Sequence, residues 1–587
     1  MTKTAQSPLS PHARMAHKRA DLGAGRRTLR AAALTTAALF ITLPALAQQA
    51  QPPRLPSGAE PGREAPRPVM PTPGAPGGAI TVPKATAAQA PQGAEQYSFA
   101  LKGVAVEGAT AFPADELAAF YASLVGKTVT VADMFKVAND IEVRYREAGY
   151  ITSRVVVPEQ TIEDGRFRIQ VIEGFVADIR FDDDIGPARA AVARLLEPLR
   201  GVTPISVGEI ERRLLLADDL PGLTVRASLE PSPTILGASI IVVKSERKAV
   251  DASLAFDNRN TPYVGAFEWV GSVSVNSFGE HADRLTLTSK VSTPFRREWF
   301  VQGGYQGMFS SDGLTAGLTS SFSRASPGQE LDQLNVHSRV ASETGTVTYP
   351  IIRSRLENLR AFGEFEYRDI RTTLGADLFN QDHLRIFRAG VSYDKTDTWD
   401  GITAVRGTVH QGLDILNATP RKSDYASRLG GNADFTKFTV DVTRVQQLPA
   451  NFSLLATATA QMSLAPLLAS EEMALGGPNF GRAYDEGEIS GDNGWAGSLE
   501  LRYTPLVPEL FPEGMQFYAV FDGGRVWSLS NYRPTGRVTV ASVGGGIRIN
   551  MAKELFTTLE VDQPLDRQVQ TQGGKPTRVF FSITAHY

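Results

Sequence analysis

From Val250 to the C-terminus, apolar and polar residues alternate in segments roughly ten residues long, separated by turn residues. In "EWFVQGGYQGMF", Trp299, Val301, Tyr305 and Phe309 share one face, and Gln302 and Gln306 the other. In "WAGSLELRYT", Trp495, Leu499, Leu501 and Tyr503 oppose Ser498, Glu500, Arg502 and Thr504. In "AFGEFEYRD", Phe365 and Tyr367 oppose Glu364, Glu366 and Arg368. The terminal "RVFFSITAHY" sets Val579, Phe581, Ile583, Ala585 and Tyr587 against Arg578, Ser582, Thr584 and His586. A period of two describes a strand with a different environment on each face. A soluble sandwich alternates too, with its polar face in water. Three features point instead to a transmembrane β-barrel. Aromatics gather near segment ends as in a membrane girdle, the polar faces carry charges of both signs as a wet lumen tolerates, and the tract of roughly 340 residues exceeds one ordinary sandwich. The segment count predicts about 16 antiparallel strands over residues 249–587, an even number that leaves an aqueous channel.

Upstream, the period changes. "YSFALKGVAVEG" predicts a strand and Pro113 opens a short helix through Leu117 and Phe120. A second helix starts at Thr130, with Asp133 completing a capping box, and ends at Gly149. Met134, Ala138, Ile141 and Tyr145 form its buried stripe. "SRVVVPEQ" and "GRFRIQVIEG" then read as two strands joined by a turn at Asp164-Gly165. The order strand, helix, helix, strand, strand recurs in the next segment. There "VADIRFDDD", a helix around Ala190 to Leu199, a helix N-capped by Ser206 with Glu209 at its third position, "LTVRASLE" and "ASIIVVKSE" follow one another. Residues 98–174 and 175–248 are therefore expected to be two copies of one α/β module.

The first 97 residues carry no such pattern. Arg26, Arg27 and Arg30 precede an apolar stretch from Ala31 to Leu43, and Ala45-Leu46-Ala47 supplies a small-x-small cleavage site. Residues 1–47 are expected to be an export signal. Their loss would remove seven Lys or Arg and one Asp, moving the formal charge from −3 to about −9, which argues against a nucleic-acid partner. Residues 48–97 are dominated by Pro, Gly, Ala and Gln, and are expected to be an extended or disordered linker.

Composition narrows the chemistry. The chain has 42% hydrophobic residues, yet its mean hydropathy is −0.15 and no uncharged apolar run reaches the roughly 20 residues of a spanning helix. It contains no cysteine, which excludes disulfides, thiolate metal sites and a cysteine nucleophile. Its seven histidines show no HExxH spacing, and no Gly-x-Ser-x-Gly elbow is present. No catalytic residue, metal or cofactor is expected. "VGGGIRI" from Val543 reads as a strand kink or a close backbone contact and not as a phosphate loop, because no helix follows it.

One segment breaks the alternation. "LGGPNFGRAYDEGEISGDNG", within residues 464–493, is long and glycine-rich, and sets Arg482 between Phe480 and Tyr484. Arginine in a loop is usually solvated, and Asp-Gly-Gly is usually a turn. In "MQFYAVFDGGRVW", however, placing Met515, Phe517, Ala519 and Phe521 toward lipid turns Asp522 and Gly524 inward. A carboxylate facing lipid would be costly, whereas an inward one can accept from a guanidinium at two points. Gly524 on the same face leaves room for another backbone or a large side chain.

Taken together, this order of segments resembles the two-partner secretion outer-membrane transporters, the TpsB or ShlB/FhaC/HecB hemolysin activation/secretion family of the BamA-related superfamily. "AGYITSRVVVPEQTIEDGRFRIQVIEGFVADIRF" is similar to that family's first periplasmic POTRA repeat, from its Gly-Tyr-x-x-Ser-Arg start to its "VIEG" end. The glycine-rich segment resembles the family's long sixth extracellular loop, which folds into the lumen and carries a Val-Arg-Gly-Tyr/Phe motif at its tip. Gly481, Arg482, Ala483 and Tyr484 occupy those positions, keeping the arginine and the aromatic but not the valine or the middle glycine. Asp522 and Gly524 match the family's barrel-wall motif, whose first position, an aromatic or glycine, is Val520 here, and Tyr587 resembles the terminal aromatic that such barrels use as an assembly signal.

The resemblance implies a monomeric outer-membrane pore with periplasmic POTRA domains. It would bind a secreted TpsA-type exoprotein through them, and meet outer-membrane lipid and the barrel-assembly machinery. It further implies that Arg482 reaches Asp522. Alternatives are an insertase of the same superfamily, which typically carries more POTRA repeats, and, less favoured, a porin or a barrel enzyme.

Overall fold

The computed structural model describes residues 55–62, 80–81, 90–506, 511–529 and 537–587. The expected export signal lies outside these residues. Strand β1 (Ile80–Thr81) precedes the first α/β unit, which comprises β2 (Ser98–Ala100), β3 (Gly103–Glu107), α1 (Ala114–Ala118), β4 (Thr128–Thr130), α2 (Val131–Glu147), β5 (Arg154–Val156) and β6 (Arg166–Ile172). Helix α2 begins where expected. The Thr130 side chain accepts from Asp133 N, and the Asp133 carboxylate accepts in return from Thr130 N. Met134, Ala138, Ile141 and Tyr145 all point into the core.

The single strand expected over "YSFALKGVAVEG" is instead two. Around Leu101 the backbone changes partners, Leu101 N donating to Lys127 O and Lys102 N to Gly165 O. β2 consequently pairs with β4, while β3 joins β6 in a separate sheet of order β3-β6-β5.

The second unit comprises β7 (Phe175–Phe181), α3 (Ala188–Leu196), α4 (Val207–Asp218), β8 (Leu223–Pro231) and β9 (Ala238–Arg247). Its topology repeats the first: the opening strand runs parallel to the last, and the middle strand antiparallel to it. The outer edge of β8 is occupied by β1, with Ile80 opposite Ala227 and Thr81 opposite Ser228. This unit is docked on the barrel. Arg353 grips Asp219 at two points, 2.7 and 2.8 Å, Arg213 donates to Ser311 O at 2.6 Å, and Ala282 from a barrel turn and Met308 from a strand end join the unit's apolar core.

The remaining chain forms β10 (Val250–Asp257), β11 (Phe267–Asn276), β12 (Arg284–Thr293), β13 (Glu298–Met308), β14 (Thr315–Ala325), β15 (Val336–Arg353), β16 (Glu357–Leu374), β17 (Asp377–Thr396), β18 (Gly401–Gly412), β19 (Thr436–Gln447) and β20 (Phe452–Ser463). A small hairpin, β21 (Met473–Leu475) and β22 (Ile489–Gly491), precedes β23 (Asn493–Tyr503), β24 (Met515–Trp527), β25 (Val538–Ala552), β26 (Leu555–Pro564) and β27 (Arg578–His586). All but β21 and β22 join one closed barrel of sixteen strands. No helix among the described residues is long and apolar enough to cross a membrane; the strands do so.

The alternation sets the two faces. Trp269, Trp299, Trp495, Phe521 and Val579 are exposed outward, and Glu366, Glu500, Asp522 and Glu560 are buried inside. Closure joins β10 to β27 over five register pairs, from Ser253 with His586 to Asp257 with Ser582. Past the end of β10, the Asn258 amide continues the ladder. It accepts from Phe581 N at 2.8 Å and donates to Val579 O at 3.0 Å.

Within the stretch expected to be a free linker, residues 55–62 are packed. Leu55 and Ala59 are buried against Tyr263 and Leu331 on loops and Val336 at the start of β15, at the barrel end away from the α/β units. A cavity of about 720 Å³ in the lumen is bounded by Ser57, Gly58 and the loop between β20 and β23 on one side, and by Arg360, Arg388 and Arg406 on the other. Leu55 and Ala59 supply the apolar contact, and glycine permits close approach: a Cβ on Gly58 would lie 2.9 Å from Glu486 O.

Candidate functional site

The loop joining β20 to β23 spans residues 464–492 and turns into the barrel. Its β21–β22 hairpin pairs Met473 with Gly491 and Leu475 with Ile489. Four glycines of this loop, Gly476, Gly477, Gly481 and Gly487, have positive φ. Gly476 has φ +115° and would place a Cβ 2.1 Å from Asp485 O, and Gly481 has φ +79°. Ala483, which replaces the glycine of the resembled motif, is fully buried and has no positive φ, so alanine meets no strain there.

The tip sits on the wall formed by β23 to β26. Gly481 N and Arg482 N donate to Asp522 Oδ1 at 2.8 and 3.3 Å, and Ser542 Oγ donates to the same oxygen at 2.5 Å. The Arg482 guanidinium spreads over three carboxylates. It lies 2.8 Å from Glu500, 3.3 Å from Glu560 and, through Nε, 3.7 Å from Asp522. Arg482 and Asp522 therefore meet, but not as a two-point fork; Asp522 is satisfied chiefly by backbone N–H groups. Arg259 closes the cluster, donating to Arg482 O at 3.2 Å and pairing with Glu560. The carboxylates are buried and the side chains of both arginines are only 11% exposed, so each charge depends largely on its partners for what water would otherwise supply.

Gly524 receives the loop. A Cβ there would stand 2.7 Å from Leu475 Cδ1, Ala496 Cβ and Trp495 O. Tyr484 is buried with its hydroxyl against the β25 backbone and the β26–β27 loop, donating to Ala541 O at 3.2 Å and accepting from Arg567 N at 3.1 Å. Met473, Leu475, Phe480, Tyr484 and Ile489 from the loop pack on Ala496, Val526 and Val540 of the wall. The arrangement holds a large insert in the lumen by apolar packing around a paired charge cluster.

Against this geometry, two family models match the chain. The POTRA domain, ShlB-type, covers residues 99–174, and the haemolysin secretion/activation protein ShlB/FhaC/HecB covers residues 237–549. The chain belongs to the ShlB/FhaC/HecB family. Among curated relatives, heme/hemopexin transporter protein HuxB of Haemophilus influenzae is 23% identical over 462 residues, 78% of this chain and 81% of the relative. Outer membrane transporter CdiB of Dickeya dadantii is 20% identical over 474 residues, 77% and 80% of the two chains. Hemolysin transporter protein HpmB of Proteus mirabilis is 24% identical over 433 residues, 68% and 71%. Among solved structures, CdiB from Escherichia coli superposes with a TM-score of 0.69 at 20% identity, covering 85% of this chain and 92% of the other.

As a ShlB/FhaC/HecB protein, the chain is an outer-membrane β-barrel transporter of two-partner secretion, and its family consists of transporters. The structure brings Gly481, Arg482, Ala483, Tyr484, Asp522 and Gly524 of this transporter into one site. It places Tyr587 elsewhere, exposed at the end of β27, with its N–H donating to Ala252 O at 2.9 Å.

Sequence reasoning missed Glu560, Arg259 and the role of Phe580. Phe580 is apolar on the inward face of β27 and breaks the alternation. It lies under the guanidinium groups of Arg259 and Arg578, 4.0 and 4.8 Å from its ring centroid. Its break in parity was the available signal. Glu500 was placed inward by parity, but its partner was not identified.

Proposed function

We propose that this transporter engages an unfolded exoprotein in the periplasm through its two α/β units and passes it through a monomeric barrel to the cell surface. The seated loop keeps the lumen obstructed between transport events. The observation that carries this reading is the docking of the second unit, through Asp219 at the end of α4, on a closed sixteen-strand barrel. An extended segment added to a strand edge gains main-chain hydrogen bonds with little side-chain selectivity, as suits a varied client. A client using the β8 edge must displace Ile80–Thr81, and at the other edge of that sheet β7 is bridged at its start, where Gly201 N donates to Val176 O and Arg200 to Ala177 O, both at 2.9 Å. The relatives' names, heme/hemopexin transporter and hemolysin transporter, support a protein cargo of this kind. The insertase alternative gives way to the family match.

The role assigned to Arg482 and Asp522 is to fix the tip in its resting position, and Tyr587 with the last strand would be read by the barrel-assembly machinery. The test is to co-express the chain with a candidate exported protein encoded beside it and follow that protein into the medium. A variant lacking residues 99–246 that still forms a heat-modifiable, ion-conducting barrel is expected to release none. Export by that isolated barrel would refute the role of the α/β units.

A further inference from the structure

The tip is one attachment of the lumenal loop; a second lies across the barrel. Before forming β21, the loop makes a short 3-10 turn, Ala469–Glu471, against the inner wall of β16 to β19. Glu471 is buried there and meets three cations on three different strands. Its carboxylate lies 2.8 Å from Lys437 Nζ on β19, 3.0 Å from Arg368 on β16 and 3.7 Å from Arg388 on β17. The contact also uses its backbone: Lys437 Nζ donates to Glu471 O at 2.8 Å and Gln461 Nε2 donates to the same oxygen at 3.2 Å. A second carboxylate, Glu366, is 2.6 Å from both Arg368 and Arg388 and holds them toward the loop.

In the ring of sixteen strands, β16 and β26 stand eight places apart, so Arg368 and Glu560 lie on opposing walls. The loop is thus tied at one side through Glu471 and at the other through its Gly481–Tyr484 tip. Lys437 and Arg388 are largely buried, and Glu471 is the loop's own counter-charge to them. Without it, Arg368 and Arg388 would keep Glu366, and Lys437 would lose the carboxylate it pairs with.

We propose that Glu471 is a positioning residue of the transporter, a second anchor that makes the lumenal loop a crossbar. Lys437, Arg368 and Arg388 form the receptor for it. Release of the tip alone then leaves the descending limb fixed, and the lumen clears only when both attachments let go. This goes beyond the role proposed for Arg482 and Asp522 and needs no exported partner.

The absence of native cysteine makes thiol accessibility a clean test in the full chain. Ala469→Cys reports the limb and Ala483→Cys the tip; both positions are buried in the resting structure. Each reporter is combined with Glu471→Gln, Lys437→Gln or Asp522→Ala, and labelled in outer membranes with a small polar thiol reagent. Heat-modifiability verifies that each barrel has formed. Removing one partner of a buried charge cluster should raise labelling at 469 by at least about tenfold in Glu471→Gln and in Lys437→Gln, with 483 still protected. Asp522→Ala should do the reverse. If Glu471→Gln fails to assemble, Lys437→Gln carries the test. Labelling at 469 that stays at the unsubstituted rate, or equal exposure of 469 and 483 in the Glu471 or Lys437 variants, would overturn the second anchor.

Discussion

Two backbone N–H groups, those of Gly481 and Arg482, converge on one oxygen of Asp522, while the Arg482 side chain is shared with Glu500 and Glu560. The two residues should therefore respond differently to substitution. Asp522→Ala strands buried donors at a cost of about 1–3 kcal/mol each, but leaves Arg482 with two carboxylates. Arg482→Ala leaves Glu500, Asp522 and Glu560 short of a shared cation and should unseat the tip more completely; protease sensitivity of the loop in assembled barrels would rank the two variants. Gly524→Val should also displace Leu475, costing about 1–3 kcal/mol of overpacking, seen as a lower temperature of heat-modification.

A pH effect belongs to Glu173, in the first α/β unit. Burial alone would raise its carboxyl, but the Thr110 hydroxyl, the N–H groups of Thr110 and Ala111 and the Tyr145 hydroxyl outweigh this and hold it below the usual 4.5. The stabilisation is complete above the unfolded value near 4.5 and is lost as pH falls through the lower folded one. The protection of residues 98–181 from hydrogen exchange in the full chain, wild type over Glu173→Gln, should be full at neutral pH and shrink below about pH 4.5. A constant difference down to acid would contradict this linkage. Arg482 and Asp522 were accessible to sequence reasoning because strand parity and the loop's resemblance converge on them. Glu471 and Glu560 were not, since parity turns a residue inward without saying which distant loop it meets.

Among the elements, those governed by local chemistry were readable and those governed by partner choice were not. The reciprocal Thr130–Asp133 cap and the stripe of α2 follow from spacing alone. The division of β2 from β3 does not, because it arises where Leu101 and Lys102 donate to residues far along the chain. The terminal strand is the element whose loss should matter most. β27 pairs with both β26 and β10, and its seam is extended by Asn258. Deleting residues 578–587 leaves two strand edges facing hydrocarbon, at several kcal/mol for each unpaired group. Such a chain should yield no heat-modifiable barrel in the outer membrane. A truncated chain that still gave one would show that β27 is dispensable for closure.

At the scale of the whole molecule, the closed barrel and the paired α/β units were legible because each rests on a repeated pattern. The packing of residues 55–62 was not, since a Pro- and Gly-rich composition reads as spacer until a concave surface accepts Leu55 and Ala59. The loop enters the lumen and Ser57 and Gly58 border its cavity, so the transport proposed above requires an obstruction that is firmly held at rest and released on demand. The most direct measurement is a double-mutant cycle on export of the exoprotein partner, using Arg482→Ala, Asp522→Ala and their combination, with barrel assembly and partner level held equal. Each single substitution should lower export, because a tip released from the wall stays in the lumen while Glu471 holds the limb, and the double should be little worse than Arg482→Ala, because both act on one seated tip. Fully additive losses, or export undiminished in both single variants, would contradict it.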